Sequence, residues 1–454
     1  MPATSEAEAA RMLEQMFRRV DEVCDILGVD YRVRAMLKEF DLPYERPFRV
    51  SFAKPHSDPA LQGREVEYQT EFFKVIRVRH INPWATGHQP FGGGFRYDLS
   101  VSVPLMKVDA MKMTFKHALV GPHDHERIPF GGAKGGIAID PKTLSWHDLV
   151  LITQEAVRKL NPVIGPMVDR IAPDMGTNER IMDEFMAHYA MLNAERNIHC
   201  GAIATGKSLL NFGCPGRLTA TAEGMFDVLE YFRNHEAYRS YFPNRPLTAI
   251  VVGLGNVGGW FVKFAKQHGV TIAGVADING ALYRKTGGLE EQADAILQLA
   301  QTKEGIASYA NAEHCTLEEL LAQECDMVVP AASEGMITAK IASNMRANVL
   351  YEGGNNPTDE EALPVLRENG ILGIPDILGN AGAATVTYFE WLQGVQGNQY
   401  ERGYIDEQRK VYLVGGAQRT VEAAKKYNTD LRTGAMIASI DFIARRLMRK
   451  HHWS

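Results

Sequence analysis

A short apolar run followed by a glycine-rich turn is the feature that most constrains the fold of this chain. Residues 248–252 are mostly β-branched, and the seven residues after them read GLGNVGG before a helical pattern, WFVKFAKQHG. Gly253, Gly255 and Gly258 occupy the glycine positions of the pattern G-x-G-x-x-G. The first permits a tight turn, the second lets a pyrophosphate approach the backbone, and the third allows close packing of helix on strand. The sequence therefore predicts a dinucleotide-binding α/β unit.

An acidic residue further along the chain supports the same interpretation. A second apolar run, VTIAGVAD, ends at Asp277. A carboxylate at this place accepts hydrogen bonds from a ribose 2′-hydroxyl and repels a 2′-phosphate, which favours NAD, with NADP possible. Asn256 and Val257 lie among the glycines, where a helix N-terminus offers amide donors to phosphates. The alternative is a nucleotide-type fold that has lost its ligand.

A lysine between two glycine pairs, in PFGGAKGGIAIDP (129–141), is the first catalytic candidate. Glycines permit positive φ and close approach of the backbone to a ligand, and partial desolvation lowers the pKa of an ammonium group. These properties suit Lys134 to proton transfer or carbonyl chemistry. The alternative is a solvated lysine in a glycine-rich surface turn.

The pattern along the chain predicts a two-domain α/β protein with additional C-terminal helices. We expect an N-terminal α/β domain at 1–215, a Rossmann-type domain at 216–390, and helices at 391–454 that pack on or between the two. Helical spacing marks 6–40, 108–119, 217–232 and 407–451, and strand-like patterns mark 66–78 and 96–103.

Composition excludes several classes of function. The 49 basic residues against 55 acidic ones give a net charge of -6, which offers no cationic surface for a nucleic-acid partner. The N-terminal segment mixes acids into its apolar positions, and we find no uncharged run of about 20 residues, so we expect a cytoplasmic protein with no membrane span. The five cysteines contain no CxxC pair and are interpreted as reduced thiols, with no metal site.

Seven segments, in order, resemble motifs of the glutamate/leucine/phenylalanine/valine dehydrogenase family. They are GGFRYDLSVS, MTFKHAL, PFGGAKGGIAIDP, APDMGT, GLGNVGG, EGGNNPT and PDILGNAGAATVTYFEW. The resemblance implies reversible, NAD(P)-dependent oxidative deamination of an L-amino acid to a 2-oxo acid and ammonia. It also implies an active site between the two domains, with the N-terminal domain binding substrate and forming a homo-oligomer, a hexamer being favoured.

The resemblance assigns roles to three residues of the N-terminal domain. Lys134 matches the lysine that activates the attacking water, and Asp174 in APDMGT matches the carboxylate that exchanges protons with the amino group. Lys116 in MTFK matches the lysine that holds the α-carboxylate of the substrate. For this chemistry we expect the pKa of Lys134 to be lowered and that of Asp174 to be raised.

On the cofactor side the resemblance is less complete. Thr221 in TATAEG lies where a family threonine approaches the nicotinamide carboxamide, although Ala222 and Glu223 depart from the usual residues. Asn355 and Asn380 resemble family asparagines near the substrate and the cofactor. The alternatives are an ordinary helix threonine and two turn residues.

The substrate pocket departs from the family pattern. Members that act on glutamate carry GPxKGGxR, in which the lysine reaches the side-chain carboxylate, but this chain has Gly92 there. Thr387 stands where glutamate-type members have serine and leucine-type members an aliphatic residue. Without the lysine, glutamate is expected to bind markedly worse unless another cation such as Arg77 or Arg79 replaces it. The chain length and the DILGNAG to FEW segment nevertheless resemble glutamate-type members, so glutamate is the leading substrate. Branched-chain or aromatic amino acids, or a catalytically silent dinucleotide-binding protein, are the alternatives.

The segment GPHDHER (121–127) lengthens a connection that the family keeps shorter. Consecutive loop residues cannot easily all bind one ion, so a metal site is not favoured. A surface or subunit-contact loop is the preferred interpretation.

Overall fold

Two β-sheets, each covered by helices, form the computed structural model, which describes residues 4–55, 66–84, 89–195 and 199–451. The arrangement is the two-domain α/β fold expected from the sequence. Among the residues described, no helix has the length and apolar character needed to cross a bilayer.

The N-terminal domain contains a mixed five-stranded sheet. Its elements are α1 (Glu6–Leu27), α2 (Tyr31–Met36), β1 (Asp41–Pro55), β2 (Val66–Arg79), β3 (Phe91–Tyr97), α3 (Val103–Leu119), β4 (Gly131–Ile137), α4 (Trp146–Leu160), β5 (Asp169–Pro173) and α5 (Glu179–Asn193). The strand order is β1-β2-β4-β3-β5, and β3 runs parallel to both β4 and β5. This pairing brings Lys134 on β4 and Asp174 at the end of β5 to the two sides of β3.

The glycines around Lys134 allow close packing and do not form a turn. Residues 131–137 are the buried strand β4, and none of its glycines has a positive φ. A Cβ on Gly132 would collide with the backbone of α3, and one on Gly136 would collide with the carbonyl of Arg96 on β3. The positive φ that glycine permits is therefore not used in this strand, and the alternative of a solvated surface turn is wrong.

The strand predicted at 96–103 is also misplaced. The strand is β3, which ends at Tyr97 because the carboxylate of Asp98 accepts a hydrogen bond from the amide of Ser100 (2.9 Å) in a turn. Pro104 then occupies the first turn of α3, where its missing N–H costs nothing.

The second domain contains a seven-stranded sheet. Its elements are α6 (Ala220–Asn234), β6 (Leu247–Val252), α7 (Asn256–Phe264), β7 (Val270–Asp277), β8 (Gly280–Tyr283), α8 (Ala293–Leu299), β9 (Glu313–Cys315), α9 (Leu317–Leu321), β10 (Glu324–Pro330), α10 (Ala339–Asn344), β11 (Arg346–Tyr351), α11 (Ala362–Glu368) and β12 (Leu372–Ile374). The order is β12-β11-β10-β6-β7-β8-β9, and the five strands from β12 to β7 are parallel. The apolar run of β6 is buried at the centre, as a parallel sheet covered on both faces requires.

The C-terminal part consists of α12 (Asp376–Gly379), α13 (Gly382–Gln396), α14 (Arg402–Tyr427) and α15 (Leu431–Lys450). One continuous helix at 407–451 was expected, but Asn428 adopts the left-handed conformation (φ 50°) and ends α14. Asp430 then caps α15 by accepting a hydrogen bond from the amide of Thr433 (2.8 Å).

These helices connect the two domains. The hydroxyl of Ser439 on α15 donates to the carbonyl of Phe115 on α3 (3.1 Å), and Arg409 on α14 donates to Asp227 on α6 (2.8 Å). The bridging position predicted for the last helices is confirmed, while the region boundaries near 215 and 390 stay predictions.

Candidate active site

The candidate active site centres on an ion pair between Lys134 and Asp174. The Nζ atom of Lys134 lies 2.7 Å from Oδ2 of Asp174 and 3.6 Å from Oδ2 of Asp109 on α3. Lys134 is 4% exposed, so the pair is shielded from bulk water. A Cβ on Gly94 of β3 would lie 2.8 Å from the Cβ of Asp174, and the glycine therefore makes room for the carboxylate. The structure brings both predicted catalytic residues together.

Arg96 on β3 joins these residues in a buried charge cluster. Its guanidinium donates to Asp109 (3.0 Å) and lies 3.3 Å from Asp174 and 3.8 Å from Glu334. Each cation contacts carboxylates at close range, which makes their common burial tolerable. Arg96 therefore holds both carboxylates in place beside Lys134.

The pKa of Asp174 moves in the direction opposite to the expected one. Burial by itself raises the pKa of this carboxyl, but the charges of Lys134 and Arg96 outweigh burial and hold the pKa well below its usual range. Asp174 is thus a carboxylate in this arrangement. It can accept a proton from a substrate amino group, and it retains that proton only when its interaction with Lys134 is weakened.

Lys116 on α3 meets the second domain through Asn380. Its Nζ donates to Oδ1 of Asn380 (2.5 Å), whose amide nitrogen in turn donates to Oδ1 of Asn355 (3.0 Å). Burial lowers the pKa of Lys116 to about 8, although the charge of Asp376 opposes the shift. Three residues predicted to bind substrate or cofactor thus form one hydrogen-bonded chain across the two domains.

A second cation bridges the domains next to this chain. Lys112 lies one turn before Lys116 on α3 and donates to the carboxylate of Asp376 on α12 (2.5 Å). Asp376 also accepts the amide of Asn356 (3.0 Å). The loop that carries Asn355 is therefore fixed relative to α3.

An arginine that the sequence did not indicate occupies the space beside Gly92 on β3. A Cβ built on Gly92 would lie 2.6 Å from Cζ of Arg170 on β5. Thr387 on α13 accepts a hydrogen bond from Nε of Arg217 (2.7 Å).

The two cations proposed from the sequence as replacements for the missing lysine are engaged elsewhere. Arg77 forms a buried ion pair with Asp169 (2.5 Å), and Arg79 pairs with Asp41 (2.7 Å). The proposal that either of them fills the position next to Gly92 is wrong.

The glycine turn after β6 fits a dinucleotide pyrophosphate. Gly253 has a positive φ of 97°, and a Cβ on Gly258 would collide with the carbonyl of Gly253. Gly255 is the N-cap residue of α7, so no capping side chain occupies the first amides of the helix, and the space around its Cβ position is open. The amides at the start of α7 are therefore available to phosphate oxygens.

The neighbouring cofactor candidates surround the same turn. The side-chain Nδ2 of Asn256 donates to the carbonyl of Leu218 (3.2 Å), which connects the turn to the segment before α6. Thr221 is buried in the first turn of α6, and Val257 packs against the core of the domain. Their cofactor roles stay predictions.

Asp277 lies at the end of β7, as the motif requires. Its Oδ1 already accepts the amides of Asn279 (2.7 Å) and Gly280 (3.1 Å) in the turn to β8. A carboxylate has further lone pairs, so a ribose hydroxyl remains compatible with this geometry.

The connection at 121–127 packs on the last helix. Asp124 accepts hydrogen bonds from Arg127 (2.5 Å) and from Arg445 on α15 (3.1 Å). Among the residues that the structure describes, no group of three or more His, Cys, Asp or Glu side chains is placed to hold a metal ion. A contact between subunits at this loop stays a prediction.

Two family models match the chain. One, described as Glutamate/Leucine/Phenylalanine/Valine dehydrogenase, matches residues 213–450, and the other, described as Glu/Leu/Phe/Val dehydrogenase, dimerisation domain, matches residues 62–191. The chain belongs to this family. It is an amino-acid dehydrogenase with NAD or NADP as cofactor, and the alternative of a catalytically silent protein is set aside.

Individual members of the Glu/Leu/Phe/Val dehydrogenase family are similar over most of their length. The chain is 34% identical over 382 residues to the glutamate dehydrogenase of Thermotoga maritima, covering 82% of this chain and 85% of the relative. It is 33% identical over 353 residues to the catabolic NAD-specific glutamate dehydrogenase RocG of Bacillus subtilis, covering 77% and 79%.

Solved structures show the same fold. Glutamate dehydrogenase from Peptoniphilus asaccharolyticus superimposes with a TM-score of 0.73 at 28% identity, covering 98% of this chain and all of that one. The hetero-hexameric glutamate dehydrogenase from Thermus thermophilus in its Leu-bound form superimposes with a TM-score of 0.83 at 24% identity, covering 98% of both chains.

Sequence reasoning missed several residues of the candidate site. Arg96 and Lys112 lie within or next to segments that carry the family resemblance, but their partners are distant in sequence. Arg170 precedes Asp174 by four residues in the strand-like stretch DRIAPD. Alternation along a strand would have placed both side chains on one face.

Proposed function

We propose that the chain catalyses the reversible NAD-dependent oxidative deamination of glutamate to 2-oxoglutarate and ammonia. The observation that carries the proposal is the buried pair of Lys134 and Asp174 at 2.7 Å, with Lys116 and Asn380 meeting across the domain boundary beside it. The similarity to proteins named glutamate dehydrogenases supports the choice of amino acid.

The residues supply binding, proton transfer and water activation. Lys116 pairs with the α-carboxylate, which fixes the α-carbon next to Lys134 and Asp174. Asp174 takes a proton from the substrate ammonium so that the free amine can support loss of hydride from the α-carbon. With Asp174 protonated, Lys134 loses its counter-charge and releases its own proton, and the neutral amine then removes a proton from the water that attacks the iminium carbon. Asp174 returns its proton to the amino nitrogen and takes the hydroxyl proton as the C–N bond breaks and ammonia leaves.

We assign the cofactor as NAD because Asp277 places a carboxylate at the end of β7, where a 2′-phosphate would be repelled. When bound, the nicotinamide accepts hydride in deamination and supplies it in the reverse direction. Gly253, Gly255 and Gly258 would hold the pyrophosphate, and Thr221 and Asn380 would face the nicotinamide end.

The test is NADH oxidation with ammonia and a panel of 2-oxo acids. We expect the highest kcat/KM with 2-oxoglutarate and lower values with 4-methyl-2-oxopentanoate, phenylpyruvate and pyruvate. We also expect NADH to be preferred to NADPH. Intact NADH binding without turnover of any acid would contradict the proposed reaction, and a preference for an apolar acid would contradict glutamate.

Dicarboxylate binding should weaken as the pH rises, because the pKa of Lys116 is lowered to about 8. The lysine is charged below this value and loses its charge above it, so the Kd for glutarate should be constant near neutral pH. Above pH 8 the Kd should rise by up to about tenfold per pH unit. Isothermal titration calorimetry with glutarate at a series of pH values measures this Kd. In Lys116→Arg the rise should begin at higher pH, since a guanidinium stays protonated. A Kd that does not change up to pH 10 would contradict this role.

We also propose that the chain assembles as a homo-oligomer, a hexamer being favoured by the family resemblance. The structurally similar glutamate dehydrogenase from Thermus thermophilus is described as hetero-hexameric, which supports this proposal. Light scattering of the purified protein tests it.

A further inference from the structure

A buried guanidinium lies beyond the catalytic pair on the same side of β3. Gly92, Gly94 and Arg96 alternate along this face: a Cβ on Gly94 would meet Asp174, and one on Gly92 would meet the guanidinium of Arg170 at 2.6 Å. The Arg170 side chain is 0% exposed. It therefore occupies the space that any side chain at position 92 would need.

This guanidinium is incompletely satisfied within the chain. Its Nε and Nη2 atoms have no hydrogen-bond partner among the described residues, and Nη1 is 3.4 Å from the hydroxyl of Thr205. Its Cζ lies 4.1 Å from the centre of the Phe130 ring. Buried donors without acceptors are costly and infrequent in folded proteins, so these two nitrogens point to a ligand.

The nearby carboxylates are already engaged. Asp169 pairs with Arg77, and Glu390 pairs with Lys207 at 2.7 Å and also accepts the amide of Gly206. Burial and the neighbouring positive charge of Arg217 lower the pKa of Arg170 to about 9. The local charge balance therefore lacks an anion.

The spacing matches a short dicarboxylic acid. On β3, Gly94 lies against Asp174 and Gly92 lies against the guanidinium of Arg170. Positions two residues apart in a strand are about 7 Å apart. A five-carbon dicarboxylic acid whose α-amino group meets Asp174 extends its distal carboxylate over a comparable length. Such a carboxylate can accept hydrogen bonds from both free nitrogens of one guanidinium.

We propose that Arg170 binds the side-chain carboxylate of a dicarboxylic substrate, in place of the lysine that glutamate-type members carry at the position of Gly92. This inference rests on the proposed amino-acid dehydrogenase function and adds to it the residue that selects an acidic side chain. Arg217, whose charge is close to Arg170, donates a hydrogen bond to the hydroxyl of Thr387.

Arg170→Met should remove the preference for an acidic side chain. The probes are 2-oxoglutarate and 2-oxopentanoate, which carries a methyl group in place of the distal carboxylate. We expect the ratio of their kcat/KM values to fall by about 10- to 100-fold, the loss of one charged hydrogen-bonded contact, with little change for 2-oxopentanoate. Arg158→Met, at an exposed arginine on α4, is the matched control and should leave the ratio unchanged.

A second experiment moves the positive charge from position 170 to position 92. Gly92→Lys combined with Arg170→Ala should restore the preference, since the lysine gains the space that the guanidinium leaves. Gly92→Lys alone should lower activity with 2-oxoglutarate, because both side chains need one space. If Arg170→Met does not fold, the double variant and Arg170→Lys carry the test, and both should keep the preference.

Three kinetic results would each overturn the inference: an unchanged ratio in Arg170→Met, an equal loss with both acids, or no recovery in the double variant. Failure of the proposed reaction is distinguishable, because then wild type reduces no 2-oxo acid. Equilibrium binding of glutarate compared with pentanoate needs no turnover. It should still favour glutarate in wild type and lose that preference in Arg170→Met, and equal binding of both acids by wild type would overturn the inference.

Discussion

Replacement of Lys134 by alanine is expected to lower kcat for 2-oxo acid reduction by about 10²- to 10⁴-fold, the usual effect of removing a positioned proton-transfer group. The Kd for NADH should stay close to that of wild type, because Lys134 lies on β4 and the glycine turn follows β6 in the other domain. Steady-state kinetics and a fluorescence titration with NADH measure the two quantities. Lys142→Ala, at an exposed lysine after β4, is the control and should change neither.

The same experiment with Asp174→Asn tests whether the two residues act as a unit. The amide keeps the size of the side chain but accepts a proton poorly, so kcat should fall over the same range. The double variant should be little worse than either single one, since each group needs the other for the same proton transfers. A large loss of NADH affinity in any of these variants would contradict the assigned roles.

The sequence predicted which residues lie together at the candidate site better than the local structure around them. Lys134 and Asp174 were identified from the residue types and the family segments, and the structure places them 2.7 Å apart. The sequence leaves open what the glycines beside Lys134 supply, because a glycine run has two physical causes, an unusual φ and a close contact. Only the three-dimensional structure shows that Gly132 lies against α3.

Residues whose partners are distant in sequence were missed for a related reason. The hydrogen-bond acceptors of Arg96 are 13 and 78 positions away, and those of Lys112 and Lys116 are 264 positions away. No local pattern encodes such contacts. Arg170 is opposite Gly92 only because β5 pairs with β3, and this register is a property of the sheet.

The direction of the Asp174 pKa shift also depends on residues that are distant in sequence. Burial alone predicts a raised pKa, and this was the expectation from a carboxylate in a cleft. The structure adds Lys134 and Arg96 at hydrogen-bonding distance, and their charges reverse the sign. The number and distance of counter-charges decide the outcome, and neither is readable from the residue types.

Arg77 should be required for stability, whereas Arg170 should be required for substrate choice. The guanidinium of Arg77 donates to both oxygens of Asp169 (2.9 and 2.5 Å) and to the carbonyls of Gly94 and Arg170. Both side chains of the pair are almost fully buried, at 1% and 0% exposure. This ion pair joins β2, β3 and β5, so it fixes the relative position of the strands that carry the site.

Arg77→Met should lower the free energy of unfolding of the N-terminal domain by about 3–5 kcal/mol, because it leaves the Asp169 carboxylate buried without its counter-charge. Urea unfolding followed by circular dichroism measures the loss. Arg49→Met, at an exposed arginine on β1, is the control and should stay within about 0.5 kcal/mol of wild type. The double variant Arg77→Met/Asp169→Asn should recover part of the loss, since the stranded charge is gone. Equal losses in the single and double variants would show that packing around Arg77, and not its charge, holds these strands together.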